Sequence, residues 1–209
     1  MPPPLGDPEA YRLLYASLGA EACDIDQSEQ CGEIAVPPGL TDAEVYRLLP
    51  TAPDFEYGGY LMPTRIRYMP CGAETAELFG SHACSFHTHP TDHPYADVPS
   101  APDVYQFLKW PHRRTITVGG TLIWVWDKDQ ATIATVRRLA DWESEHLVAT
   151  MTEMVNRHGA DAVLEYQLAA LESLGLVWPD RIEDWATGWR DLLEEQLGFR
   201  VTVLNRVGG

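Results

Sequence analysis

The chain has 209 residues, 45% of them apolar, with seven Trp and nine Tyr. It is long enough for one ordinary domain with an extension or two small ones, and too apolar to be a disordered chain. Lys and Arg total 15 against 31 Asp and Glu, a net charge of −16. Such a surface argues against a nucleic-acid partner, whose phosphates need clustered Lys and Arg, and against an anionic membrane surface. A partner with a basic face would be steered in.

The first ten residues, MPPPLGDPEA, carry no basic start and no apolar run, so they do not read as a signal peptide. Residues 8–19 predict a helix, with Tyr11, Leu14, Tyr15 and Leu18 on one face and Gly19 at its stop. Residues 20–39 are polar and rich in Pro and Gly, with a short strand expected at 33–36. Thr41 and Glu44 stand at capping-box spacing and predict a second helix over 41–50, ended by Pro50 and Pro53. Residues 55–62 and 65–69 predict two strands joined at Pro63, and 82–89 a third. Residues 100–110 predict a helix with Ser100 as N-cap, and 113–127 a hairpin whose arms meet at Gly119 and Gly120.

Beyond residue 136 the pattern turns helical. Leu139, Trp142, Leu147, Met151, Met154 and Val155 keep helical spacing over 137–158, and 160–174 predicts a second helix stopped by Gly175. Asp180 and Glu183 would cap a third helix running to Gly198, and Trp142, Trp178, Trp185 and Trp189 would build a small aromatic core there. A last strand over 199–206 leads to Gly208 and Gly209. The expected organisation is an α+β body over 1–136 and a mostly helical extension over 137–209.

The four cysteines, Cys23, Cys31, Cys71 and Cys84, contain no C-x-x-C pair, which argues against a zinc knuckle or a thioredoxin-type site. Pairing of Cys23 with Cys31 is left open. No apolar run approaches a membrane span, so the default expectation is a cytoplasmic protein with reduced thiols.

The most unusual stretch is CSFHTHPTDHPYADVPSAPD, residues 84–103. On a strand, His87 and His89 lie on one face, about 6.6 Å apart along the chain, while Thr88 points the other way. Two imidazoles on one face can converge on a zinc ion, and Asp103, in the first turn of the next helix, is well placed as a third ligand. The fourth position of such a site holds water, whose pKa zinc lowers toward about 7. A nearby carboxylate that is not a ligand could take the proton. The plainer alternatives are ordinary strand histidines and a Ser100-x-x-Asp103 capping box without chemistry.

The ordered set His87-Thr88-His89-Pro90, then Ser100-Ala101-Pro102-Asp103, preceded by Glu56-Tyr57-Gly58-Gly59, resembles the motif of the JAMM (JAB1/MPN/Mov34) metalloproteases. The resemblance spans roughly residues 8–136. It implies a JAB/MPN-like fold, similar to that of cytidine deaminases, in which helices flank a mixed β-sheet. It also implies Zn²⁺ held by His87, His89 and Asp103, with Glu56 as general base and Ser100 as hydrogen-bond donor to the oxyanion. The implied activity is hydrolysis of a peptide or isopeptide bond after the C-terminus of a ubiquitin-like or sulfur-carrier protein. Glu33 and Glu44 compete with Glu56 as the base, but Glu33 lacks the following glycines and Glu44 is a capping residue. The interval from Glu56 to His87 is short, so the substrate-positioning insert of many eukaryotic members would be reduced or absent. Between Pro90 and Ser100, Asp92, His93 and Asp97 offer either spare ligands or solvated loop surface.

Three rival readings stand beside this one. HTHPTDH brushes against the metallo-β-lactamase signature, with its Asp-His one residue late. Amidohydrolases also use H-x-H, but on a barrel of about 250 residues. An MPN domain can also be a non-catalytic or autoinhibited scaffold. The helical extension could read substrate, form a homodimer or dock a partner, and the Gly208-Gly209 tail could sit in the chain's own groove or be a plain flexible end.

Overall fold

The computed structural model describes residues 22–23, 31–71, 77–78, 84–109, 112–128, 130–176 and 190–206. The helix expected at 8–19, the tail glycines, Trp178, Trp185, Trp189 and most of the helix expected over 180–198 lie outside these residues. The strands in chain order are β1 (Ala22–Cys23), β2 (Gly32–Ala35), β3 (Tyr57–Met62), β4 (Arg65–Pro70), β5 (Glu77–Leu78), β6 (Cys84–Thr88), β7 (Arg114–Val118), β8 (Leu122–Lys128) and β9 (Phe199–Asn205). The helices are α1 (Asp42–Tyr46), α2 (Ala101–Lys109), α3 (Gln130–His158) and α4 (Ala162–Ser173), with a single π-helical turn at Leu192–Gln196. These elements form a mixed sheet with several helices, in keeping with the expected α+β class.

Two compact units interleave along the chain. The sheet unit takes in Glu21–Pro99, Pro111–Asp127 and Val201–Gly209, and the helical unit takes in Ser100–Trp110 and Lys128–Arg200. The seven-stranded sheet runs in the order β2-β4-β3-β6-β7-β8-β9, while β1 and β5 pair in parallel by themselves. Strands β3 and β4 form the hairpin expected around Pro63, and β7 and β8 the hairpin expected at Gly119-Gly120. The pairing of β6 with β7 is parallel, and a parallel neighbour needs a crossover connection. The segment between them contains α2.

The sheet's core comes from period-two alternation. Ile66, Phe86, Ile116, Val118, Ile123 and Val125 turn one way and pack with Tyr46 and Leu49 of the α1 segment. Trp124 and Trp126, on the opposite face of β8, are buried as well. Edge strand β2 carries Glu33, which pairs with Arg65 of β4 at 3.5 Å. Charge on an edge discourages pairing with another chain. Gly59 answers a close approach: a Cβ there would lie 2.2 Å from the Arg67 carbonyl and 2.3 Å from the Phe86 ring.

Helix α1 starts as its capping box predicts. The Thr41 N–H donates to Glu44 Oε2 at 2.7 Å, and the Glu44 N–H donates to Thr41 Oγ1 at 3.4 Å. Three boundaries differ from the sequence reading. Helix α3 begins at Gln130 rather than 137, because residues 130–136 continue the helix without a breaker. Strand β6 ends at Thr88, one residue before His89, since Pro90 has no N–H to extend a ladder. Of the last expected helix, the described part is the π turn. The cysteines also differ in part from expectation. Cys31 and Cys84 are thiols, so Cys31 is not paired with Cys23, but Cys71 is disulfide-bonded. Among the described residues, no helix is long and apolar enough to cross a membrane.

The helical unit encloses a buried polar knot. Glu143 of α3 accepts hydrogen bonds from Tyr105 and Lys109 of α2, and from Tyr166 of α4 at 3.3 Å. Burial pushes the Lys109 ammonium below its ordinary pKa, and the Glu143 carboxylate opposes that shift. Removing one partner of such a pair strands the other charge in the interior. Glu143→Ala should therefore cost about 3–5 kcal/mol of stability, read as a lower urea midpoint at unchanged m-value.

Candidate metal centre

Strand β6 is apolar enough to lie inside the sheet and is hydrogen-bonded on both edges. Its register with β3 sets Gly58 opposite His87 and Gly59 opposite Phe86. Its register with β7 sets His87 beside Thr117 and Thr88 beside Val118. On the β7 side the backbone bonding runs one residue further, the His89 N–H donating to the Val118 carbonyl at 2.9 Å. On the β3 side the Tyr57 N–H turns to a side chain and donates to Thr88 Oγ1 at 2.9 Å. Thr88 is fully buried, so the middle residue of the H-x-H run serves the core while the histidines take the other side. The two imidazole rings stand 5.2 Å apart, centroid to centroid.

His89 is oriented from behind. Its Nδ1 lies 3.1 Å from the Ala96 carbonyl oxygen. A carbonyl can only accept, so Nδ1 carries a proton, and in the neutral ring Nε2 then holds the lone pair. Metal-ligating histidines are commonly held this way.

The third candidate ligand arrives with α2. The Ser100 N–H donates to Asp103 Oδ2 at 2.6 Å, and the Asp103 N–H donates to Ser100 Oγ at 3.4 Å. The capping box anticipated as the plain alternative is thus formed. It does not compete with a ligand role, because a carboxylate has two oxygens and this bond orients the group. The Ser100 hydroxyl accepts in this contact, so its own proton is not used by it.

His87, His89 and Asp103 offer ligand atoms that all lie within 4.8 Å of one another. A tetrahedral ion with bonds of about 2.0–2.1 Å sets its ligand atoms about 3.3–3.4 Å apart. The remaining difference, at most about 1.5 Å on this geometry, is within the reach of side-chain rotation. The donor set of two imidazoles and one carboxylate suits a divalent transition metal. The three residues could therefore hold a metal ion.

Glu56 precedes β3 and is 8% exposed, as are His87 and His89. Continuing the β3–β6 register by two residues sets Glu56 opposite His89, and paired residues of an antiparallel ladder share a face. Its carbonyl accepts from the Cys71 N–H at 2.8 Å, which ties this end of β3 to the end of β4. The competing glutamates have other employment. Glu33 is exposed and pairs with Arg65. Glu44 is held below its usual pKa by its hydrogen bonds from Thr41.

Residues 91–99 supply no further ligand to the described group. His93 is exposed, and its Nδ1 accepts from the Tyr95 N–H at 3.2 Å. Asp97 is committed to the β7–β8 turn. Its carboxylate accepts from the Thr121 N–H and hydroxyl, both at 2.6 Å, and from the Leu122 N–H at 2.9 Å. Partial burial would raise its pKa, but these bonds and the Arg206 charge outweigh that and hold it below the usual value. The sequence reading had offered Asp97 as a spare ligand or solvated surface, and had no place for the Ala96 carbonyl.

No family model, curated protein or solved structure matches the chain.

Two outcomes follow from this geometry. Protein purified without chelators should carry about one equivalent of divalent transition metal per chain, by elemental mass spectrometry. The His87→Ala/His89→Ala protein should carry none. Because the Asp97 pKa is depressed on folding, its stabilisation is present above the unfolded value near 3.8 and is lost as pH falls through the lower folded value. The stability advantage over Asp97→Asn should be constant above about pH 5 and shrink toward about pH 3 in urea titrations.

Proposed function

We propose that the chain is a zinc-dependent hydrolase of the JAMM type that cleaves a peptide or isopeptide bond. The observation that carries this reading is the joint placement of His87, His89 and Asp103 within ligand distance, with the buried Glu56 two residues before the Gly58 that pairs with His87. Zinc, when bound, lowers the pKa of a water toward about 7 and polarises the scissile carbonyl.

The remaining work belongs to this chain's side chains. Glu56 takes the proton of the attacking water and delivers it to the leaving nitrogen. Its burial beside the histidines keeps this carboxylate out of bulk water. Ser100 donates a hydrogen bond through its hydroxyl to the oxyanion of the tetrahedral intermediate. The Ser100 N–H holds Asp103 by one oxygen and so fixes the direction of the carboxylate.

The substrate class we propose is a ubiquitin-like or sulfur-carrier protein with a basic face. The net charge of −16 supports such an encounter by long-range attraction.

The test uses zinc-loaded protein and a ubiquitin-like protein joined through its C-terminal Gly-Gly to a reporter. Cleavage should occur after Gly-Gly, and Glu56→Gln should lower kcat by about 10²- to 10⁴-fold while retaining its metal. Undiminished turnover in Glu56→Gln would remove the base assignment. A zinc-loaded chain that cleaves neither peptide- nor isopeptide-linked fusions would leave the non-catalytic scaffold as the better account. Native iron instead of zinc would point to the oxygenase chemistry that two histidines and one carboxylate also support.

A further inference from the structure

The segment between the two metal-ligand elements is pinned at both ends. At its start, the Thr91 N–H donates to the Ala52 carbonyl at 2.9 Å and the Asp92 N–H to the Pro53 carbonyl at 3.2 Å. At its end, three hydrogen bonds from Thr121 and Leu122 converge on the Asp97 carboxylate. The Asp97 carbonyl accepts a fourth from Trp124 Nε1 at 2.8 Å. Gly119 lets the turn come this close, since a Cβ there would lie 2.3 Å from the Ala96 oxygen and 2.6 Å from Asp97 Oδ1. Arg206 secures the other side of the turn through the Gly119 and Gly120 carbonyls. The atom next to all these anchors is the Ala96 carbonyl oxygen, which holds His89 Nδ1.

We propose that Asp97 is a positioning residue that, by locking residues 96–97 onto the β7–β8 turn, aims the Ala96 carbonyl at His89 and fixes that histidine in its Nδ1–H tautomer. The proposal rests on the metal reading for its purpose, but not for its geometry. Nδ1 is the nitrogen a strand histidine would otherwise be able to present by rotating about χ2. Bonding it to a carbonyl commits Nε2 as the lone-pair donor before any metal arrives. The ligand is thereby pre-organised, and the ordering cost is met in folding rather than in binding. Asp97 touches neither the metal ligands' donor atoms nor, on this reading, the reacting bond. It acts through Ala96.

The experiment uses the full chain labelled with ¹⁵N-histidine and stripped of metal. The His89 ring should show a protonated Nδ1 and an unprotonated Nε2 in the native protein. In Asp97→Ala the tautomer should become mixed, and zinc affinity, measured by chelator competition, should fall about 10- to 100-fold. Asp97→Asn keeps an acceptor oxygen on the backbone donors and should restore both readings. A folded Asp97→Ala protein with the native tautomer and native zinc affinity would overturn the proposal. If Asp97→Ala fails to fold, Gly119→Ala and Thr121→Val decide by the same two readings. A native chain that shows the Nδ1–H tautomer but takes up no zinc would sink the metal reading and leave the clamp standing. A native chain with an unprotonated Nδ1 would sink the clamp, whatever metal it binds.

Discussion

The register of β6 between its two neighbours is the constraint on which the rest of the site depends. Antiparallel pairing with β3 and parallel pairing with β7 leave this strand no freedom to slide. A one-residue slip would exchange its faces, turning Thr88 toward the site and both histidines into the core. Phe86 and Thr88, both fully buried, make that exchange costly, because the core has no room for imidazoles without partners. The apolar half of β6 therefore holds the polar half in place. The C-terminal end of a parallel strand is also where open α/β sheets commonly present ligands.

The two units bury polar groups for different ends. In the helical unit, Glu143 is surrounded by Tyr105, Lys109 and Tyr166, and its carboxylate is occupied by donors from the protein itself. A buried network closed in this way favours a single packing arrangement. Around the candidate ligands, the Ala96 carbonyl meets His89 Nδ1 and the Ser100 N–H meets Asp103 Oδ2. Bonds of this kind orient a group, which is the usual condition of metal ligands.

Much of this was legible in the sequence, because the governing signals are local. The Thr41–Glu44 box, the Pro63 hairpin, the Gly119-Gly120 turn and the Gly175 stop are decided by residues within a few positions of one another. The spacing of His87, His89 and Asp103 was readable for the same reason, since one strand end and the next helix start carry all three. The Asp97 contact with Thr121 and the Lys109 pairing with Glu143 were not readable. Each joins elements brought together by the sheet order or by helix packing, and no periodicity records those. The start of α3 at Gln130 was missed because residues 130–136 carry little amphipathic pattern, although they contain no breaker.

The two-ended pinning of residues 91–99 bears on how this chain could vary in length. Insertions or deletions change the separation between fixed points unless they fall where the backbone is unconstrained. Here the exposed stretch from His93 to Tyr95 can absorb an added or lost residue as altered surface, at small loop-closure cost. A single residue gained or lost between Ala96 and Asp103 cannot be absorbed so easily. It would shift the Asp97 side chain out of phase with its three donors and rotate the start of α2 by about 100°. Relatives of this chain should therefore keep a constant interval from Ala96 to Asp103 while the interval from Pro90 to Ala96 drifts.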